Sequence, residues 1–198
     1  MSKPAPGSWD ELSNEFHAMI GQCIAAWARA DDELFGIFRD CLGPYEQSAI
    51  IYYRTPGLDQ RFSLTDELVR SVLPKRVKKS GGHDHPSVTA WNKAKDGYQE
   101  LLAVRRRIAH HPVTIRWRPF AVGDPINTPP PSWFEIYISQ HEQLREKSAD
   151  IPPLRIEDLR KHLAAVERLR ERLHHFYHDV LIKHDATHQP PSPPRSRG

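Results

Sequence analysis

Three observations predict a mainly α-helical chain, a helical bundle with a β-hairpin inserted before its C-terminal helix. Apolar residues recur at three- and four-residue intervals over most of the length, the period changes to two between residues 113 and 139, and the helical period returns at Ile156. The 198 residues suffice for one domain with a sizeable core and do not force a second. We read residues 1–7 as a flexible N-terminus, 8–184 as one helical domain, and 185–198 as a disordered proline-rich tail with one alanine as its only apolar anchor.

The first helix is expected to start at Ser8. With Trp9, Asp10 and Glu11 it has the spacing of a capping box, in which the hydroxyl and a carboxylate three residues on satisfy orphan backbone donors. Phe16, Cys23, Ala30 and Ile37 then repeat every seven residues, with Ile20, Trp27, Leu34 and Cys41 as the second line of one seam. Such a seam suits packing in a bundle or against a second copy. Gly43-Pro44 stops the helix. Tyr45 to Arg54 reads as a second helix, and Thr55-Pro56 as the cap and first position of a third, with Leu58, Phe62, Leu68, Val69 and Val72 inward. PKRVKKSGGHDHP, from Pro74 to Pro86, is expected to be a cationic loop carrying Lys75, Arg76, Lys78 and Lys79.

A fourth helix begins near Pro86 and ends near His111-Pro112, with Trp91, Tyr98, Leu101, Leu102, Ile108 and Ala109 on its buried face. Val113, Ile115 and Trp117 alternate with Thr114, Arg116 and Arg118, and Phe134, Ile136 and Ile138 with Glu135, Tyr137 and Ser139, which predicts two strands joined by a long proline-rich connection. In the last helix Leu159, Leu163, Val166, Leu169, Leu173, Phe176 and Val180 face inward.

Charge narrows function only loosely. A net +3 with a pI near 8.9 permits an anionic partner without demanding one. No run of about 18 apolar residues is present and the first residues lack a secretory signal, so a cytoplasmic protein with no membrane association is expected. Cys23 and Cys41 would lie about 27 Å apart along a single helix, too far to bridge, and read as buried reduced thiols.

The densest chemistry is RRRIAHHP, Arg105 to Pro112. Arg105 lies four residues after Leu101 and four before Ala109, so it is expected to turn toward the core or a partner. A guanidinium stays charged at ordinary pH, and burial there requires a carboxylate or a phosphate. Arg105, four intervening residues and His110 resemble the arginine and histidine signature of the HEPN superfamily of compact helical domains, and LLAVRRRIAHHP resembles its variant that closes on Ile-Ala-His. The likeness reaches in outline across residues 8 to 184, while only the eight-residue core is specific.

The resemblance implies an RNA-binding domain that forms a homodimer, brings two motifs together and cleaves RNA without a metal. Arg105 would hold the scissile phosphate and His110 would act as acid or base while a ribose 2′-hydroxyl attacks, so DNA would be refused. This sequence departs from the family at Arg106, where Asn or another small polar residue is usual, and at His111, often Gly. Arg106 with His111 fits the same spacing, so two frames stay open. Lys78, Lys79, Arg106, His111 and Arg116 are the further RNA-contact candidates, with no aromatic residue among the lysines for base stacking.

Against this stands a non-catalytic interaction or regulatory module with a protein partner. In that reading the cations serve the helix dipole, and Arg105 pairs with Asp31 or Glu33 as a structural bridge. His174 and His178, four apart on one face, have metal-compatible spacing, but no Glu-containing pentapeptide or clustered cysteine accompanies them; the expectation is no metal and no cofactor.

Overall fold

The computed structural model describes residues 9–77, 85–117, 134–139 and 152–182. The described chain is mainly α: α1 (Trp9–Leu42), α2 (Tyr45–Arg54), α3 (Leu58–Val77), α4 (Pro86–His110), strands β1 (Val113–Trp117) and β2 (Phe134–Ile138), then α5 (Ile156–His175), which runs on into a π-helical segment, Phe176–Ile182. The hairpin thus precedes the last helix, as the change of period predicts. Expectations for residues 1–8, the connection at 118–133 and the tail lie outside the described residues. No helix among the described residues is long and apolar enough to cross a membrane.

Two compact units divide the chain, Met1–Trp27 with Gln99–Glu167, and Ala28–Tyr98 with Arg168–Gly198. The first unit packs the start of α1, the end of α4, the hairpin and the start of α5 around Phe16, Cys23, Ile108, Ile138, Leu154 and Leu159. Burial pushes the Cys23 thiol up to about 11, which keeps it protonated, and its Sγ lies 3.5 Å from the Leu159 carbonyl oxygen. β1 and β2 pair antiparallel with Val113 opposite Ile138 and Arg116 opposite Glu135. Ile138 also exchanges backbone hydrogen bonds with Leu154, at 2.9 and 3.1 Å, which ties the segment before α5 to the hairpin. The strand alternation is only half realised: Ile138 is fully buried but Ile115 is exposed.

The second unit is a cluster of helices with an aromatic core. Phe62 stacks on Trp91 and on Tyr98, with ring centroids 5.8 and 3.8 Å away, and Trp91 also meets Phe176 at 5.0 Å. Its polar groups are paired inside this packing. Asp31 takes the Arg61 guanidinium at 2.7 Å and the Tyr52 hydroxyl at 2.5 Å. Asp66 accepts from the Trp91 indole N–H at 2.8 Å, the Lys95 ammonium at 2.6 Å and Arg70 at 2.9 Å. Burial alone would raise the Asp66 carboxyl; the three donors outweigh it and hold the group below its usual range.

The heptad seam of α1 is buried at Phe16, Cys23, Trp27, Ala30, Leu34 and Ile37, whereas Ile20 and Cys41 are half-buried. Both cysteines are free thiols. Gly43 closes α1 with φ of +120°, a conformation that side-chain-bearing residues rarely adopt, and its N–H reaches the Arg39 carbonyl at 2.9 Å.

Four expectations are corrected. Thr55 caps the end of α2, its N–H and hydroxyl both bonding the Ile51 carbonyl, and α3 begins only at Leu58 after Gly57 at φ +78°. The helix then continues through Pro74 to Val77, so Lys75 and Arg76 are helical. Proline removes one backbone donor, which a helix near its end sustains more easily than at its centre. Ala109 is exposed. Finally, the wider π turn after His175 advances the buried positions by one residue, so Tyr177 and Leu181 join Phe176 in the core and Val180 is only half-buried.

Candidate functional site

The end of α4 is where helix geometry distributes the cations. Val104 and Ile108, one turn apart, define the line that faces the first unit's core. At 100° per residue, Arg105 and Arg107 fall symmetrically on either side of that line, Arg106 opposite it, and His110 about 140° from Arg105. Arg106 and His110, four residues apart, share the outer face and are both exposed. Neither Arg105 with His110 nor Arg106 with His111 is brought to one face by the helix itself.

Arg107 is the docked arginine. Its Nη2 donates to the Pro152 carbonyl at 2.6 Å and lies 3.5 Å from that of Ile138, while its Nε is buried with no partner among the described residues. Burial lowers its pKa, opposed by the nearby Asp158 carboxylate. Asp158 in turn accepts the Arg155 backbone N–H at 3.0 Å at the start of α5, so the arginine sits where a helix end supplies a negative group.

His111 is held by the hairpin. Its backbone N–H continues the helix to the Arg107 carbonyl at 2.9 Å, and its Nδ1 lies 3.0 Å from the Ser139 carbonyl. A carbonyl only accepts, so Nδ1 carries a proton and donates it to Ser139, which fixes the ring's orientation. Ser139 is fixed in turn by its N–H to the Pro112 carbonyl, 3.1 Å, and by the Thr114 hydroxyl, 2.8 Å. The helix end, the first residues of β1 and the last of β2 therefore form one hydrogen-bonded knot.

Arg105 is half-buried and has no hydrogen bond or ion pair among the described residues. The carboxylates that the sequence offered it are engaged elsewhere: Asp31 by Arg61 and Tyr52, Glu33 by His174 at 3.0 Å. Arg116 is exposed on β1, and Glu135 across from it takes Arg155 at 2.7 Å. Lys78 and Lys79 lie outside the described residues.

Two groups escaped the sequence reading. One is Arg107, which periodicity could not separate from Arg105. The other is His162, buried on α5, whose Nε2 accepts the Trp27 indole N–H at 3.0 Å. Its Nδ1 is buried with no partner among the described residues, and burial pulls the imidazole down to about 4. Only its place between Leu159 and Val166 on the apolar stripe hinted at this.

The arrangement suits an anion: a half-buried guanidinium with no carboxylate partner among the described residues, an exposed Arg-His pair one turn long, and an exposed strand arginine beyond. Compared with protein-family models, curated proteins and solved structures, the chain finds no match.

Proposed function

We propose that the first unit is the RNA-binding part of a HEPN-like domain, with metal-independent endoribonuclease chemistry carried by Arg105 and His110 across a homodimer. The observation that carries this reading is Arg105, a half-buried charge with no carboxylate among the described residues. A phosphate diester supplies the missing anion in the two-pronged geometry that guanidinium prefers. Because Arg105 and His110 diverge on one helix, a second copy supplies the opposing group, which fits the dimer that the family resemblance implies. His110 takes the 2′-hydroxyl proton as the oxygen attacks phosphorus, the bond to the 5′-oxygen breaks, and the imidazolium so formed gives that proton to the departing 5′-oxygen, leaving a 2′,3′-cyclic phosphate. Arg106, His111 and Arg116, with Lys78 and Lys79, extend the contact to neighbouring phosphates.

The test is incubation of the full chain with structured and single-stranded RNA in excess chelator. Cyclic-phosphate products from wild type and none from His110→Ala are expected, with binding retained. No cleavage by wild type, or equal cleavage by the variant, overturns the catalytic part. Loss of RNA affinity in Arg105→Met, with fold retained, is the expected mark of phosphate contact; unchanged affinity overturns the binding part.

A second reading, a non-catalytic module for a protein partner, is favoured by α2, where Tyr45, Ile50, Ile51 and Tyr53 are 44–60% exposed. Its proposed Arg105 ion pair has no support from Asp31 or Glu33, which other groups occupy.

A further inference from the structure

We propose that Glu33, His174 and His178 bind a divalent transition-metal cation of the zinc type. The three residues present one carboxylate oxygen and two imidazole nitrogens, all within 4.8 Å of one another. Zinc bonds of about 2.0–2.2 Å to nitrogen and oxygen place tetrahedral ligand atoms about 3.3 Å apart, so rotation of exposed side chains closes the remaining distance. The Glu33 to His174 separation, 3.0 Å from Oε1 to Nδ1, is already at that scale, and a cation there replaces the shared proton. The His174 and His178 rings stand 4.2 Å apart between centroids.

The placement follows from the backbone. His174 lies in the last α-helical turn of α5 and His178 in the π-helical segment, a kind of turn that recurs at functional sites. Gly36, one turn beyond Glu33 on α1, lets this segment approach: a Cβ there would meet the Tyr177 ring at 3.1 Å. Tyr177 is buried, and its hydroxyl takes the Arg39 guanidinium, so the residue before His178 is anchored to α1. The His178 ring in turn meets the Tyr177 ring edge-on, with centroids 4.6 Å apart.

Two imidazoles and one carboxylate are a borderline-soft donor set that selects zinc, cobalt, nickel or copper over magnesium and calcium. Three protein ligands leave positions for water or a further ligand, and both histidines are exposed, so the cation is open to solvent. This site lies in the second unit and owes nothing to the RNA reading, which concerns the first.

Zinc titrated into the purified full chain by calorimetry, and cobalt followed by its visible ligand-field bands, test the assignment. One tight equivalent per chain is expected, weakened at least about tenfold in His178→Gln and in Glu33→Gln, with magnesium giving no heat. Circular dichroism checks that each variant keeps its helices; His174→Gln, on an exposed residue, repeats the test should either lose them. Absence of a one-equivalent site, or a site of equal affinity in the ligand variants, overturns the proposal and assigns any binding to other histidines.

Discussion

The two units satisfy their buried polar groups differently. In the second, the half-buried carboxylates Asp31 and Asp66 are surrounded by donors, and the buried hydroxyls of Ser48 and Thr65 bond backbone carbonyls of the preceding turn. In the first, Arg107 Nε and His162 Nδ1 are buried with no partner among the described residues. Leaving a buried donor unmade costs about 1–3 kcal/mol, so the first unit carries polar cost that the second has removed. Both orphaned donors are interior atoms, so this cost belongs to the first unit's core packing, while its surface residues Arg155 and Arg160 do find carboxylates. The proposed RNA surface lies on that same unit.

The largest expected effect tests the second unit as scaffold. Phe62→Ala removes the ring stacked on Trp91 and Tyr98 and should lower unfolding free energy by about 4 kcal/mol, read from urea midpoints. A loss below about 1 kcal/mol would show that the aromatic core is not what stabilises this unit.

Acid should strike the first unit. His162 is held neutral, its folded-state pKa about 4 against an unfolded value of 6.5, so below pH 6.5 the unfolded chain takes up a proton that the folded chain refuses. This contribution is fully present above pH 6.5 and is lost progressively as the pH falls to about 4, amounting to about 3 kcal/mol. His162→Gln should flatten that part of the stability profile. An unchanged slope would mean that the ring is protonated in the folded state.

Arg107→Met should cost about 1 kcal/mol, since the lost bonds to the Pro152 and Ile138 carbonyls are partly offset by removal of the orphaned Nε. A stability gain would show that burial of the guanidinium outweighs its bonds. Smallest in stability is Arg105→Met, expected to shift unfolding by less than about 0.5 kcal/mol while lowering RNA affinity about tenfold and reducing the salt slope by about one. Equal stability losses at Arg105 and Arg107 would erase the distinction between a docked and a ligand-facing arginine.

Much of the fold was legible locally. The seven-residue seam of α1, the Gly43-Pro44 stop and the switch to period two at Val113 each depend on neighbours within a few residues, and sequence spacing carries that information. Gly43 illustrates why: a positive φ demands glycine at that position whatever else packs nearby. The role of Thr55 was misread because a β-hydroxyl can close one helix or open the next, and the choice depends on where Gly57 turns the chain.

The amino-acid order by itself determined the helices, the hairpin and the concentration of cations at the end of α4. Tertiary structure alone decided which arginine turns inward. Arg105 and Arg107 are equivalent about the Val104–Ile108 line, and the tie is broken by the carbonyls of Ile138 and Pro152, 31 and 45 residues away, which only packing of the hairpin can deliver. The same holds for Glu33 and His174, 141 residues apart, and for the π turn that brings Tyr177 inward: each depends on a partner surface that spacing along the chain cannot encode.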